Sequence, residues 1–237
     1  MAYKLDPHNT SASLEDIARG YYDNARPLHI FGFNTAIGTS YETIFNDGGG
    51  IYPFPISGSV LAVVSDASDF CVVQITGLDV NFNEVVELVT LNGLTPVTTV
   101  NSFYRVNDAR TVGALNTGNV TISHSGSTVA YLGAGLGVHQ GALYTTAADE
   151  TVYIGMISFT SGTVNPNKYL FGRAFTNHPV VGKHNFWEST WAVGNLPFIL
   201  PMPFVIPPKT DFSLEVKSSS GENEVSVYIN GYSITGD

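Results

Sequence analysis

Hydrophobic and polar residues alternate along much of the chain, with the period of two that places one side of a β-strand in a core and the other in water. The clearest example is residues 210–234, TDFSLEVKSSSGENEVSVYINGYSI. Within this stretch, Asn230-Gly231 is the residue pair that a type I′ hairpin turn requires, and Tyr232 and Ile234 continue a return strand. The pattern predicts consecutive antiparallel strands.

From Leu28 onward, short apolar segments are separated by turn residues at the spacing of a β-sandwich or barrel. We therefore predict an all-β, antiparallel β-sandwich that is jelly-roll-like, preceded by a short N-terminal helix and an extended arm. Strands are expected near residues 28–33, 40–45, 59–65, 70–76, 84–91, 95–106, 119–123, 128–132, 141–145, 151–160, 168–175, 190–193, 212–217 and 224–234.

The first thirty residues contain the best helical candidate of the chain. Ser13 can cap this helix, Asp16 occupies its third position, and Gly20 ends it. A helix of about two turns is too short to be stable alone, so it must pack on its own domain or on a neighbouring subunit. We predict an arm with this helix over 1–30 and a sandwich domain over 31–237, with a sub-boundary near 125–137 as the alternative to one sandwich.

The segment LPFILPMPFVIPP, residues 196–208, carries five prolines among large apolar residues. Proline cannot donate to a sheet ladder, so the segment is expected to be an edge strand, a connection or an arm. Its apolar side chains must be covered within the subunit or by an intersubunit contact. With the helix, they supply the candidate interface residues Leu14, Ile17, Tyr21, Tyr22, Phe198, Ile199, Met202 and Phe204.

Composition narrows the classes of protein. Charged residues make up 13% of the chain, about half the usual share, which suits a subunit covered by neighbours or a secreted β-domain with a Ser/Thr/Asn surface. The net charge of −10, with ten scattered Lys and Arg, predicts no direct nucleic-acid binding. Cys71 is the sole cysteine, so no intrachain disulfide forms, and we expect a buried thiol. No signal peptide or membrane-spanning segment is expected.

Catalytic motifs are missing from the sequence, which has no Gly-x-Ser-x-Gly, His-Glu-x-x-His, Walker loop or Cys-x-x-Cys. We therefore expect a protein that is not an enzyme and has no cofactor. Asp79, Asn81 and Asn83 copy the first ligand positions of a calcium loop, but Glu84 and Thr90 stand where the glycine and the closing glutamate belong. A plain turn is favoured, and a weak calcium site remains the alternative.

Three other groups of residues bear on possible chemistry. His178 and His184 match no standard zinc spacing, so a structural role is favoured. Trp187 and Trp191 either fill the core or an interface, or stack on sugar rings as in β-sandwich lectins. A carboxylate pair for glycoside hydrolysis would need two of the following acids to meet in space: Asp66, Asp69, Asp149, Glu150 and Glu188.

Four segments, in their order, resemble a group of small β-rich virion proteins of tailed bacteriophages, particularly those of marine bacteria. They are FGFNTAIGTSYETIFNDGGGIYPFP, ITGLDVNFNEVVELVTLNGLTPVTTVNSFYRVN, GAGLGVHQGALYTTAADETVYI and IPPKTDFSLEVKSSSGENEVSVYINGYSI, which together cover well over half of the chain. The resemblance implies a virion structural role, and it does not fix a position on the particle.

From this resemblance and the composition we expect a capsid decoration or cement subunit that is made in the host cytoplasm. Its expected partners are other copies of itself, in a trimer, and the major capsid protein or other virion subunits, with no nucleic acid and no membrane. A tail, adaptor or baseplate subunit is the alternative within the same class. A carbohydrate- or receptor-binding module is the alternative of another class.

Overall fold

Sixteen strands and one short helix make up the regular structure in a computed structural model of the chain, which describes residues 4, 14–47, 49–162, 168–192 and 194–236. The first elements are α1 (Leu14–Ala18), β1 (Ala25–Ile37), β2 (Glu42–Thr43), β3 (Leu61–Ser65), β4 (Val72–Leu78), β5 (Glu84–Thr90), β6 (Val97–Thr98), β7 (Arg105–Val112) and β8 (Val120–His124). The others are β9 (Ser127–Leu132), β10 (Leu143–Thr145), β11 (Glu150–Ser161), β12 (Tyr169–His178), β13 (Gly182–Ala192), β14 (Asn195–Ile206), β15 (Asp211–Ser218) and β16 (Asn223–Thr235). The predicted all-β fold is confirmed.

Two sheets form the first sandwich. One has the strand order β1-β16-β11-β14 and is called the β1 sheet; the other, the β15 sheet, has the order β10-β15-β12-β13, with β2 also on β15. Because β2 and β10 pair with neighbouring parts of β15, they act as two halves of one strand. Counted so, the eight strands have the orders 1-8-3-6 and 2-7-4-5, which is the arrangement of a jelly roll.

A second sandwich is inserted between those two half-strands. It consists of the sheet β6-β3-β8-β9 and the sheet β5-β4-β7, called the β4 sheet. Its apolar core is separate from that of the first sandwich and includes Leu61, Ile75, Phe103 and Ile122. Residues 125–137, the predicted sub-boundary, contain β9 and lie in this second unit.

The chain enters and leaves the insertion along two adjacent segments. Ile44 accepts a backbone hydrogen bond from Ala142 (2.7 Å), and Asn46 donates one to the carbonyl of Gln140 (3.1 Å). Ile44 also donates to the carbonyl of Leu214 on β15 (3.1 Å). The two connections are therefore held together and tied to the β15 sheet.

The predicted helix is confirmed, and Gly20 ends it with a φ of 72°, in the left-handed region that glycine favours. Its predicted cap, Ser13, and the arm before it lie outside the described residues, apart from Lys4, which is exposed and in no strand. Residues 25–30, which we assigned to the arm, form the first part of β1.

The predicted hairpin turn at Asn230-Gly231 is wrong, because β16 continues through both residues. Asn230 is paired with His29 on β1 and with Met156 on β11. A Cβ on Gly231 would overlap the carbonyl oxygen of Tyr153, so this glycine permits a close approach of two strands rather than a turn. The strands β15 and β16 also lie in different sheets, so they do not form a hairpin.

Candidate interaction surfaces

The proline-rich segment forms β14, at one edge of the β1 sheet, which confirms one of its three predicted placements. Ser161 of β11 donates to the carbonyl of Gly194 (3.1 Å), and in an antiparallel ladder this fixes which residues face the partner strand. Even-numbered residues 194–198 bond to β11, so Pro197 turns its nitrogen to the free edge, and Pro201 and Pro203 lie in the stretch of β14 that the ladder skips. Pro197 therefore removes a donor that a further strand would need.

The side chains of β14 divide between two faces. Phe198 and Phe204 pack against the first core, and the ring of Phe204 stacks on Phe186 with centroids 3.6 Å apart. Ile199 and Met202 point outward and are 74% and 82% exposed. Of the four interface candidates on this segment, only these last two present a free apolar surface in the single chain.

The outer face of the β1 sheet carries further exposed apolar residues beside β14. Val205 on β14, Phe31 on β1 and Tyr228 on β16 are all exposed, and Phe31 is the cross-strand partner of Tyr228. Met156 is half-buried and paired with Ile199. We call this the outer patch, formed by Phe31, Met156, Ile199, Met202, Val205 and Tyr228.

The short helix covers one end of the same sheet face. Ile17 is buried against Ala25 of β1 and Ile234 of β16, with Tyr22 half-buried beside them. Leu14 and Tyr21 are exposed. Ile17 thus fills a small core within its own chain. It was predicted to be an interface residue, but its side chain is not available to a neighbouring subunit.

A cleft of about 1340 Å³ separates the two sandwiches. One wall is the edge of β1 at residues 26–31, and the opposite wall is the outer face of the β4 sheet, including Val86. Across the cleft, Arg26 of β1 and Glu84 of β5 approach to 3.6 Å. Leu115 and Val138 also line it, so the cleft has both apolar and charged walls.

A buried ion pair joins the two sandwiches behind this cleft. Arg105 at the start of β7 donates from Nε to Oδ1 of Asp211 on β15 (2.7 Å) and from a terminal nitrogen to Oδ2 (2.9 Å). Both side chains are 5% exposed. The guanidinium also donates to the carbonyls of Pro55 and Tyr104 and lies over the Tyr104 ring. This pair was not identified from the sequence, where nothing relates residues 106 positions apart.

His139 is a buried histidine at the base of the cleft. Its Nδ1 lies within hydrogen-bond distance of the backbone of Tyr131, and its ring meets Phe45 edge-on. Burial lowers the pKa of His139 from 6.5 to about 4, against the smaller opposing effect of the Tyr131 backbone. The imidazole is therefore neutral at pH 7.

The calcium candidates lie in the tight turn between β4 and β5. Oδ1 of Asp79 accepts hydrogen bonds from the backbone N–H groups of Asn81 (2.7 Å) and Asn83 (2.9 Å), and Oδ2 accepts one from the Asn83 amide (3.0 Å). Desolvation alone would raise the pKa of Asp79, but these hydrogen bonds outweigh it and lower the pKa. The carboxylate thus serves the turn itself.

The two histidine candidates stand at the β12–β13 hairpin. Nδ1 of His178 accepts from the backbone N–H of Val180 (3.1 Å), and Nε2 of His184 lies 3.1 Å from the carbonyl of Val181. Each ring therefore bonds to the backbone of the turn. Among the described residues, no group of three or more His, Cys, Asp or Glu side chains is placed to hold a metal ion.

Both tryptophans pack on Phe159 in the first core. The Trp191 ring is 4.8 Å and the Trp187 ring 5.5 Å from it, centroid to centroid. Trp191 is 7% exposed and Trp187 is half-buried against Phe198. The structure therefore places Trp191 in the core and Trp187 against its margin, with one face of the Trp187 ring stacked on Phe159.

Four of the five acids that could serve hydrolysis accept local hydrogen bonds. Asp66 accepts from the backbone and side chain of Asn119, and Asp69 from Ser65, Thr117 and Gly118. Desolvation opposes ionisation of Asp69, but its hydrogen bonds lower its pKa well below the usual range. These contacts tie together the loops before β4 and β8.

The remaining acids lie elsewhere. Glu150 accepts from the Tyr144 hydroxyl (3.0 Å), Asp149 is exposed at the cleft, and Glu188 accepts from the Tyr41 hydroxyl (3.3 Å). Burial, together with the charge of Glu150, raises the pKa of Tyr144. Cys71, predicted to be buried, is half-buried beside the second core, and desolvation raises the pKa of its thiol.

No helix in the described part of the chain is long and apolar enough to cross a membrane. No protein-family model and no curated protein matches the chain. Solved structures with some similarity include infectious bursal disease virus of the Gx strain, with 14% identity, a TM-score of 0.27, and 90% of this chain and 72% of that chain covered. The Gt strain of the same virus has 13% identity and a TM-score of 0.23, with 90% of this chain and 72% of that chain covered.

A third structure, the VP2 subviral particle of the same virus, has 12% identity and a TM-score of 0.22, with 89% of this chain and 75% of that chain covered. Similarity at these TM-scores carries no argument about fold or function. The jelly-roll assignment rests on the strand order alone. The phage resemblance of the sequence stays a prediction.

Proposed function

We propose that this protein is a non-enzymatic structural subunit of a virus particle, which decorates or cements the capsid by covering surface. The observation that carries the proposal is the outer patch, where Ile199 and Met202 remain exposed on the same sheet face as Phe31 and Tyr228. Burial of apolar area of this kind drives association between subunits. The low charge of the chain suits a protein whose surface is shared with neighbours.

The outer patch suits an interface in which the face of the sheet packs on another subunit better than one in which strand edges pair. Pro197 denies a donor to a strand that would extend the sheet beyond β14, and the ladder is interrupted at residues 200–203, whereas the adjacent side chains remain free to pack. We infer that other copies of the chain pack against this face, in a trimer. A neighbouring capsid subunit is the second partner that we propose, and the tail, adaptor or baseplate position is the alternative.

Light scattering across a dilution series tests self-association. We expect a stable oligomer for the full chain and a smaller particle for Met202→Glu, which places a charge in the outer patch. Ile56→Glu is the matched control, because Ile56 is 96% exposed and lies outside the patch. If the control dissociates and M202E does not, the outer patch is not the interface. A ring of six or more would favour the tail or adaptor alternative.

Immunogold electron microscopy tests the location. An antibody against the protein should label the shells of particles produced by the source virus. Labelling confined to the tail would support the alternative position. If the antibody detects the denatured protein in a blot of purified particles but does not label intact particles, an internal position is favoured. If the protein is absent from the blot as well, the virion proposal is overturned.

A further inference from the structure

The β1 sheet has two edges, and they are built differently. On β14, Pro197 turns its nitrogen to the free edge, and the ladder is interrupted at residues 200–203. On β1, Thr235 of the neighbouring segment donates to the carbonyl of Asn24 (2.8 Å), and the register pairs these strands antiparallel. Even-numbered residues of β1 therefore bond to β16, and the N–H and C=O groups of odd-numbered residues point to the free edge.

The free edge of β1 has the groups that a further strand would use. Pro27 faces this edge and lacks an N–H, but His29 and Phe31 each present both a donor and an acceptor. Within the described part of the chain, neither residue makes a backbone hydrogen bond on that side. Beyond them the edge leaves the cleft, since residues 26–31 are the part of β1 that lines it. The accessible edge is thus about five residues, or about 17 Å, long.

This edge lies inside the cleft between the sandwiches, which restricts what can reach it. The β4 sheet stands opposite, with Val86 in the wall, so an extended segment can enter beside β1. The edge of another folded sheet would require that wall to move. Such strand addition uses main-chain hydrogen bonds for affinity and alternate side chains for specificity.

We propose that residues 1–6 of a second copy, MAYKLD, occupy the cleft as a strand added to β1. This inference rests on the proposed function, because it assumes association between copies. The segment alternates apolar Met1, Tyr3 and Leu5 with Ala2 and Lys4, as a strand between an apolar wall and solvent requires. Pro7 follows, at the point where the ladder would end.

The charge of the cleft and the length of the chain before α1 are both consistent with residues 1–6 as the occupant. The cleft is lined by Glu84, Asp108, Asp149 and Glu150 against Arg26 and Arg110, a balance of two positive and four negative charges, and the segment brings Lys4. Residues 7–13 span at most about 25 Å when extended. They lead to α1, which contacts Ala25 of its own chain beside the cleft. Lys4 is exposed and in no strand in the single chain, so we assign the cleft to the arm of a neighbour.

Amide hydrogen exchange in the full-length protein tests the assignment. We expect the His29 and Phe31 amides to exchange about tenfold or more slowly in the oligomer than in Lys4→Pro, which removes a donor from the segment. His8→Pro is the matched control and should keep the protection, since it lies beyond Pro7. Both substitutions precede α1, so the described fold does not depend on them.

Each outcome separates this inference from the proposed function. Rapid exchange of both amides in an intact oligomer would overturn the inference and leave the structural role standing. Slow exchange that persists in monomers on dilution would show that the chain's own arm, not a neighbour's, fills the cleft, and would overturn the assignment to a second copy. A protein that is monomeric and does not bind particles would instead contradict the proposed function.

Discussion

Replacing Arg105 by methionine removes the guanidinium that joins the two sandwiches while keeping an unbranched side chain of similar reach. Asp211 then remains buried, with only the Thr145 hydroxyl (2.8 Å) and the Asn177 amide (3.4 Å) as side-chain partners. Breaking a buried ion pair by removing one partner costs about 3–5 kcal/mol. We therefore expect Arg105→Met to lower the free energy of unfolding by that amount.

Urea denaturation with two probes measures this loss. The two tryptophans of the chain both lie in the first core, so their fluorescence follows the first sandwich, whereas far-ultraviolet circular dichroism follows the strands of both. In the native protein the two transitions should coincide. In R105M they should separate, since the buried ion pair between the sandwiches is gone.

The exposed pair Arg110–Asp108 provides a matched control. Its side chains are 57% and 30% exposed, so Arg110→Met should cost less than about 1 kcal/mol. The double variant R105M/D211N should be less destabilised than the sum of its single variants, because an uncharged amide at position 211 leaves no buried charge uncompensated. A cost for R105M no larger than that for R110M would refute the argument.

Three further predictions concern the stability of the folded chain. In the unfolded state His139 takes up a proton below about pH 6.5, whereas in its buried site it does so only near pH 4. Lowering the pH across this window should therefore reduce the free energy of unfolding by up to about 3 kcal/mol (2.5 units at 1.36 kcal/mol), and His139→Gln should not show this loss. Gly231→Ala should cost about 1–3 kcal/mol because its Cβ overlaps Tyr153, whereas Gly155→Ala, whose nearest neighbour is 4.0 Å away, should cost far less. The melting temperature should not change with millimolar calcium or chelator, because the Asp79 oxygens are already bonded to the turn; a calcium-dependent rise would contradict this.

Edge prolines were the part of the fold that could be predicted best from the sequence. A residue without an N–H has few places in a sheet, so five prolines in thirteen residues restricted the segment before any pairing was known. Which side chains of β14 would face outward could not be predicted. The ladder skips residues 200–203 at the irregularity beside Gly155, and this shift depends on the partner strand.

The pairing of the last two strands shows where a local pattern fails. Asn-Gly is a hairpin signal only when the flanking strands pair with each other, and here β15 and β16 belong to opposite sheets. The glycine was informative for another reason, namely the close approach of Tyr153. A local sequence does not distinguish these two uses of glycine, since both require the absence of a Cβ.

The candidate surfaces were predicted less well than the fold. Hydrophobicity selected Ile17, Phe198 and Phe204 with Ile199 and Met202, although the first three are occupied within the chain. The cleft and the ion pair behind it arise from the insertion of the second sandwich into a split strand. Such a long-range arrangement leaves no periodic signal in the sequence.

The cleft and the ion pair are physically connected through the β4 sheet. Arg105 begins β7, which is paired along its length with β4, and β4 and β5 form the wall that faces the edge of β1. The contact between Arg26 and Glu84 is mostly exposed and contributes little to holding that wall. The buried pair with Asp211 and the hydrogen bonds between Asn107 and Thr145 therefore hold this wall against the first sandwich, and a strand bound beside His29 and Phe31 would depend on residues that it does not touch.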